Sequence, residues 1–380
     1  MIYLDNSATT ATLPQAAETA RKYMCEDFFN PSSGYAPAVQ VEREVNDARG
    51  RLAARFGASA NEIVYTSGGT ESNNMAFSGV LRGQRGPVHL VCGAVEHPSV
   101  YELFRQRQLA GAAVSYAGVN ADGSVNVAQL ASLLRPDTAL VSVMHVNNET
   151  GAINDIAAIA RAVKSRAPRA IFHVDGVQAF CKLPFSSVPC DLYSISGHKF
   201  HAPKGIGALY IRAGTRFLGG QIGGGQERGL RSGTTNVPGV MGMDAALAYY
   251  ADKQNEKIAH VRACKLRLCN NLLTIPEVMI NGPEPSVGAP HVLNLSFLGM
   301  RGEVLLHALE QYGVYVSTGS ACSAHKKGKN RILESMGIRG IRQEGAVRFS
   351  LCPLNTISQM DEAAQIIKDQ VLKLRQFKRR

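Results

Sequence analysis

Ala170-Ile-Phe-His-Val-Asp175-Gly-Val-Gln178 and, a short way downstream, Leu192-Tyr-Ser-Ile-Ser-Gly-His-Lys199 decide the fold. Each is a short apolar run that stops on polar residues. Comparable runs lie at 63–66, 88–92, 113–116, 139–145 and 206–211. Between them, apolar residues recur at helical spacing over 71–81, 99–108, 127–134 and 155–165. Near-continuous apolar strands separated by helices predict an α/β region whose seven-stranded, mostly parallel sheet is covered on both faces.

A glycine-rich loop, Gly219-Gly-Gln-Ile-Gly-Gly-Gly-Gln226, closes this region. One long helical stretch is predicted over 238–273. Strands at 291–297, 314–317 and 346–351, with helices at 303–311 and 359–374, predict a second, smaller α+β unit. A chain of 380 residues suits two domains. The expected division is 13–252 for the large domain, and 1–12 with 253–380 for the small one.

Eight cysteines stand at 25, 92, 181, 190, 264, 269, 322 and 352. None forms Cys-x-x-Cys or pairs with histidine at zinc spacing, so neither a metal site nor a disulfide framework is expected. The start, Met1-Ile-Tyr-Leu-Asp-Asn6, has no basic and apolar leader, and no run is apolar enough to span a bilayer. A cytoplasmic protein that does not bind membranes is expected. The net charge of +11 favours acidic or phosphorylated partners. Basic residues are spread along the chain apart from 325–329 and 375–380. No RNA-binding signature accompanies them, and direct nucleic-acid binding is not expected.

The polar residues at the strand ends carry the chemistry. Lys199 can condense with an aldehyde, and Asp175 can face a pyridine nitrogen and keep it protonated; together they suit pyridoxal 5'-phosphate. A solvated surface lysine is the plain alternative, opposed by the tight Gly197 and Lys204-Gly205-Ile206-Gly207 turns. Tyr65-Thr-Ser-Gly-Gly69-Thr70-Glu71 runs a strand through two glycines into a helix start, where backbone N–H groups and the Thr70 hydroxyl suit a phosphate. An ordinary turn with a threonine cap reads the same way. His97, after another strand, can stack on the ring and pass protons, or be a satisfied structural histidine. Asn148 can bond the ring hydroxyl or a substrate carboxylate, or simply serve the turn. Gln178 can donate to the ring oxygen, while Ser196 and His198 suit phosphate oxygens. Arg348, alone in an apolar strand, calls for an anion: a substrate carboxylate or a structural carboxylate. Cys322 sits among small residues before a basic stretch. That composition describes an exposed, mobile loop whose thiol reads first as a bystander, although His325, Lys326 and Lys327 would lower its pKa.

Taken together these residues resemble the cysteine desulfurase family, in the class V branch of fold-type I pyridoxal phosphate enzymes. The resemblance runs from Tyr3-Leu-Asp-Asn-Ser-Ala-Thr-Thr10 through Asn30-Pro-Ser-Ser33, Ser67-Gly-Gly-Thr-Glu71, Glu96-His-Pro-Ser99, Asn147-Asn-Glu149 and His173-Val-Asp175. It continues through Ser196-Gly-His-Lys199, Gly224-Gly-Gln-Glu-Arg-Gly-Leu-Arg-Ser-Gly-Thr234 and the Ser317 to Ser323 segment. It implies that Lys199 carries the cofactor, Asp175 pairs with the ring nitrogen and His97 stacks on the ring. Gln178 and Asn148 would contact the ring oxygen and substrate. Gly69, Thr70, Ser196 and His198 would bind the phosphate, with Thr234 reaching in from the other subunit of a homodimer. Arg348 would hold the carboxylate of L-cysteine. The resemblance reverses the reading of Cys322, which becomes the nucleophile that takes the substrate sulfur as a persulfide. Alanine leaves, and the sulfur passes to an acceptor protein for iron–sulfur cluster assembly or for thiolation of tRNA or thiamin precursors.

Three positions depart from the pattern: Tyr35 where many members carry histidine, Thr235 where many carry glutamate, and the basic run after Cys322. Rival readings are selenocysteine lyase or an aminotransferase on the same fold, and, outside enzymes, a basic binding module.

Overall fold

A computed structural model describes residues 1–84, 86–184, 188–318 and 330–377. The chain opens with β1 (Ile2–Tyr3), α1 (Pro14–Cys25) and α2 (Ala36–Ala54). The alternating region follows: β2 (Ile63–Thr66), α3 (Gly69–Arg82), β3 (His89–Gly93), α4 (Pro98–Leu109), β4 (Ala113–Ala117), α5 (Val127–Leu133), β5 (Thr138–Met144) and α6 (Ile156–Arg166). It ends with β6 (Ile171–Asp175), β7 (Leu192–Ser196) and β8 (Gly207–Ile211). Next come α7 (Val237–Ala251) and α8 (Gln254–Leu272), then β9 (Val278–Ile280), β10 (Val292–Phe297), α9 (Gly302–Glu310) and β11 (Val314–Tyr315). Two short helices, α10 (Arg331–Ser335) and α11 (Gly340–Glu344), lead to β12 (Ala346–Ser350) and α12 (Ile357–Phe377).

The predicted seven-stranded sheet is present, in the order β2-β8-β7-β6-β5-β3-β4. Only β8 runs against its neighbours. Strand side chains alternate between faces, and the core follows that alternation. Ile63, Tyr65, Val91, Val141, Val143, Phe172, Val174, Tyr193 and Ile195 enter one apolar cluster. Val64, Leu90, Cys92, Leu140, Leu192 and Leu209 enter the other. Both faces are therefore buried, as the unbroken apolar runs require.

A third cluster lies elsewhere. It joins Ile2 and Leu4 to Leu268, Leu295, Leu305, Phe349 and Ile367. Its sheets are β12-β10-β9, antiparallel, and β1-β11, parallel.

The long helix expected over 238–273 is two helices. They part at Asp252-Lys253, where Lys253 adopts a left-handed φ of 47°. A lysine there gives no breaker signal. The helices α1 and α2 were not among the expected elements. Both bury one face at helical spacing (Ala16, Ala20 and Tyr23; Ala38, Val41, Val45, Ala48 and Leu52), a signal the strand-centred reading passed over.

The parallel strands β3, β5, β6 and β7 put their carboxyl ends on one edge of the sheet, and β2 points the same way. In open α/β sheets this is the edge where ligands gather.

Candidate active site

The turn after β2 packs tightly on the strand ends. Gly207 pairs with both Thr66 and Ser196 across the sheet. A Cβ at Gly207 would lie 2.6 Å from Gly68 Cα, so the backbones touch. Gly68 has φ 149°, a conformation open to glycine and strained for other residues. A Cβ at Gly69 would meet Val177 Cγ2 at 2.7 Å. The result is a hollow lined by Thr9, Ser67, Gly68, Gly69, Thr70, Glu71, Ser196, His198, Lys204 and Gly205. It sits at the start of α3, whose first-turn N–H groups have no intrahelical partner. Four expected phosphate residues, Gly69, Thr70, Ser196 and His198, thus line one cradle. His198 bonds Thr9 Oγ1 through Nδ1 at 3.0 Å. Burial, then Lys199, Lys182 and Lys204, pushes it down to about 4, leaving it a neutral imidazole.

A ring wall stands beside the cradle. Asp175, at the end of β6, is buried. Its Oδ2 accepts from Asn73 Nδ2 at 2.8 Å and its Oδ1 from the Val177 N–H at 3.0 Å. Asn73 also donates to Ser99 Oγ at 2.9 Å. Ser99 in turn holds His97, whose Nδ1 accepts from the Ser99 backbone N–H at 3.1 Å. That acceptance leaves the imidazole proton on Nε2. His97 caps α4, with Pro98 at the first helical position. Burial lowers its pKa first; Asp175 opposes this, and Lys199 and Arg331 add to it. His97 therefore lies within electrostatic reach of both Asp175 and Lys199.

Lys199 ends the 3₁₀ turn that follows β7. Its Nζ donates to the carbonyls of Ser7 at 2.7 Å and Ala8 at 2.6 Å. Gln178 Nε2 donates to the same Ser7 carbonyl at 3.0 Å. The first ten residues thus form part of the site, held by the Asn6 N–H to the Ser350 carbonyl (3.1 Å) and the Ser7 N–H to Ser350 Oγ (2.8 Å).

The opposite wall is Arg348, on β12. Its Nη2 donates to Asp5 Oδ1 at 2.7 Å and its Nη1 to the Asn148 carbonyl at 3.1 Å. Of the two expected partners the structural carboxylate, Asp5, is present, while the buried Nε has no partner among the described residues. Asn148 Oδ1 is likewise buried without a partner among the described residues.

Cys322 lies outside the described residues. The chain on either side of 319–329 is fixed to the site. Ser317 and Arg348 exchange backbone hydrogen bonds of 3.1 and 2.6 Å. Asn330 Nδ2 donates to Glu149 Oε2 at 2.5 Å. Arg331 donates to the carbonyls of Ala94 and Glu96, and stacks 3.7 Å from the Tyr101 ring centroid. Thr234 is exposed. Gly233 and Thr235 beside it line an adjoining hollow with Ser67 and Gly205.

The glycine-lined cradle, with buried Asp175 and the Lys199 amine at the carboxyl ends of neighbouring strands, fits pyridoxal 5'-phosphate. Several residues that hold this geometry were given no role from the sequence: Asn73, Arg331 and Lys182 lie outside the quoted motifs, and Asp5, Ser99 and Glu149 lie inside them without an assigned contact.

The sequence model of the family "Aminotransferase class-V" matches residues 2–362. A "Cysteine desulfurase" of Trichormus azollae is 40% identical over 378 residues, which is 99% of this chain and 94% of that protein. A "Cysteine desulfurase IscS" of Klebsiella pneumoniae subsp. pneumoniae is 38% identical over 384 residues, 99% and 94% of the two chains. Among solved structures, a "NifS-like protein" superposes with a TM-score of 0.91 at 34% identity, over 97% of this chain and 99% of that one.

Proposed function

The chain belongs to the class-V aminotransferase family, and from that premise we propose that it is a pyridoxal 5'-phosphate-dependent cysteine desulfurase. The observation that carries the reading is a glycine-lined cradle at the start of α3, beside the sheet edge where β6 ends in Asp175 and the turn after β7 ends in Lys199. Gly69, Thr70, Ser196 and His198 would hold the phosphate, Asp175 the ring nitrogen, and Gln178 and Asn148 the ring oxygen, with His97 on the ring face. Bound there, the cofactor supplies an aldehyde for the substrate amine and a ring that takes up the electron pair of a broken Cα–H bond.

The protein's own side chains do the rest. Arg348 orients L-cysteine by its carboxylate, using the Nε that has no partner among the described residues. Lys199 Nζ, released from the cofactor by the substrate, takes and returns the Cα proton. His97, neutral with its proton on Nε2, closes the ring face against water and relays protons. Cys322 accepts the sulfur as a persulfide, alanine leaves, and an acceptor protein collects the sulfur for iron–sulfur assembly or for thiolation of tRNA or a thiamin precursor.

The separate apolar cluster around β10 and β12 supports two domains, 13–252 and 1–12 with 253–380. Exposed Thr234 and the half-exposed Tyr35 (53%) suit the edge of a homodimer, where Thr234 would complete the partner's cradle. No helix among the described residues is long and apolar enough to cross a membrane. The cytoplasm is the compartment we assign.

Borohydride reduction of the protein loaded with pyridoxal 5'-phosphate, followed by peptide mass spectrometry, tests the cofactor link. The phosphopyridoxyl adduct should fall on Lys199, and an adduct elsewhere would refute it. For Cys322→Ala, cysteine should still perturb the cofactor absorbance while sulfide release stops. Unchanged sulfide release would remove Cys322 from the reaction.

A further inference from the structure

Lys182 is buried, 8% exposed, and no carboxylate pairs with it among the described residues. An unpaired buried ammonium is costly and calls for a reason. Burial, with Lys199 as the next cause, brings its pKa down to about 7. Its one hydrogen bond among the described residues runs from Nζ to Gln178 Oε1, at 2.8 Å. The two residues are four apart on the helical turns after β6, where the Phe180 N–H bonds the Gly176 carbonyl and the Leu183 N–H bonds the Ala179 carbonyl. That spacing places them on one face.

We propose that Lys182 is a positioning residue that fixes which way round the Gln178 amide sits, and so reserves an N–H of Gln178 for the ring oxygen of the cofactor. The inference rests on the pyridoxal phosphate reading above. An amide has two ends, and only its surroundings decide their placement. Here the oxygen end meets the Lys182 amine, while the nitrogen end meets the Ser7 carbonyl at 3.0 Å. A flipped amide would set oxygen against the Ser7 oxygen and N–H groups against the ammonium, losing both bonds and adding two repulsions. In the observed setting one N–H of Gln178 is spent on Ser7. The second has no protein partner among the described residues, so it remains to donate. Ser7 O also accepts from Lys199 Nζ, so Lys182, Gln178, Ser7 and Lys199 form one continuous chain of contacts.

The test combines Lys182→Met, which keeps the volume and removes the donor, with Gln178→Ala and the double variant. The readouts are the dissociation constant of pyridoxal 5'-phosphate and the pH midpoint at which the bound cofactor changes absorbance band. Loss of one donor to the ring oxygen should weaken binding about tenfold and raise the midpoint by about one unit. With Gln178 already alanine, Lys182→Met should add less than about twofold and leave the midpoint in place. A merely structural lysine would alter thermal stability without this coupling. Lys182→Arg, which retains a charged donor, should keep the midpoint near wild type and covers the case in which the methionine variant does not fold. A Met variant with wild-type constants overturns the proposal, as does one whose shift persists undiminished in the Gln178→Ala background, since Lys182 would then act only as a nearby charge. Failure of the wild-type protein to take up pyridoxal 5'-phosphate would instead overturn the functional reading on which the proposal stands.

Discussion

The wall formed by the ends of β3 and β6 and the wall formed by β12 with the β5 loop treat their polar atoms differently. On the first, Asp175, Asn73, Ser99 and His97 bond one another in sequence, with Asn73 Oδ1 unpartnered among the described residues. On the second, Arg348 Nε and Asn148 Oδ1 are unpartnered among the described residues, and no such sequence of side-chain bonds joins them. A buried polar atom without a partner is costly, and a ligand that supplies the partner recovers that cost. The contrast teaches where each ligand belongs. A group that stays through every turnover suits a wall whose side chains already hold one another. A substrate that comes and goes suits a wall with bonds left to make.

The contrast can be broken by substitution. Lys199→Ala, between the walls, removes the proton carrier and should lower kcat by at least about 10³-fold, measured as alanine formed from cysteine. Asp175→Asn keeps the shape of the first wall but removes its charge; kcat should fall about 100-fold with KM little changed. Arg348→Lys attacks the second wall and should raise KM about 30-fold while kcat changes little, because it weakens a charged hydrogen bond to the substrate. Should Asp175→Asn act on KM and Arg348→Lys on kcat, the division of labour is wrong.

The smallest expected effect concerns acid. His173 lies beneath the first wall, its Nδ1 bonded to Ser142 Oγ at 2.7 Å and its Nε2 to Ser194 Oγ at 2.9 Å. Burial pushes it down to about 4. The unfolded chain binds its proton near pH 6.5, the folded chain only near 4. Stability is therefore lost as pH falls through that window, by up to about 3 kcal/mol from this residue. Thermal denaturation between pH 7 and 4 measures it. His173→Asn should flatten the profile, and a profile that stays equally steep would place the acid sensitivity elsewhere.

The strand ends were legible because chemistry and topology coincide there. An apolar run that stops at Asp175 or at Ser196-Gly-His-Lys199 states both a strand and its polar terminus. The alternating pattern located every strand of the large sheet, since burial on two faces leaves an unbroken apolar run. What escaped was of two kinds. Local breaks without a breaker residue, such as Lys253, leave no trace in periodicity. Contacts between distant segments leave none either: Asp5 meets Arg348 across 343 residues, and Asn73 meets Asp175 across 102. Single residues of ordinary type declare such roles only when the fold brings them together.

The first ten residues and the strand ending at Ser350 are bound to each other at the site: Asp5 to Arg348, Asn6 and Ser7 to Ser350, with the Ser7 and Ala8 carbonyls on Lys199. On the ribosome Asp5 must therefore wait for a partner made 343 residues later. The large sheet can assemble while β12 is still unmade, but Asp5 and the carbonyls that hold Lys199 are anchored only when it emerges. Until then the carbonyls that hold Lys199 have nothing to hold them.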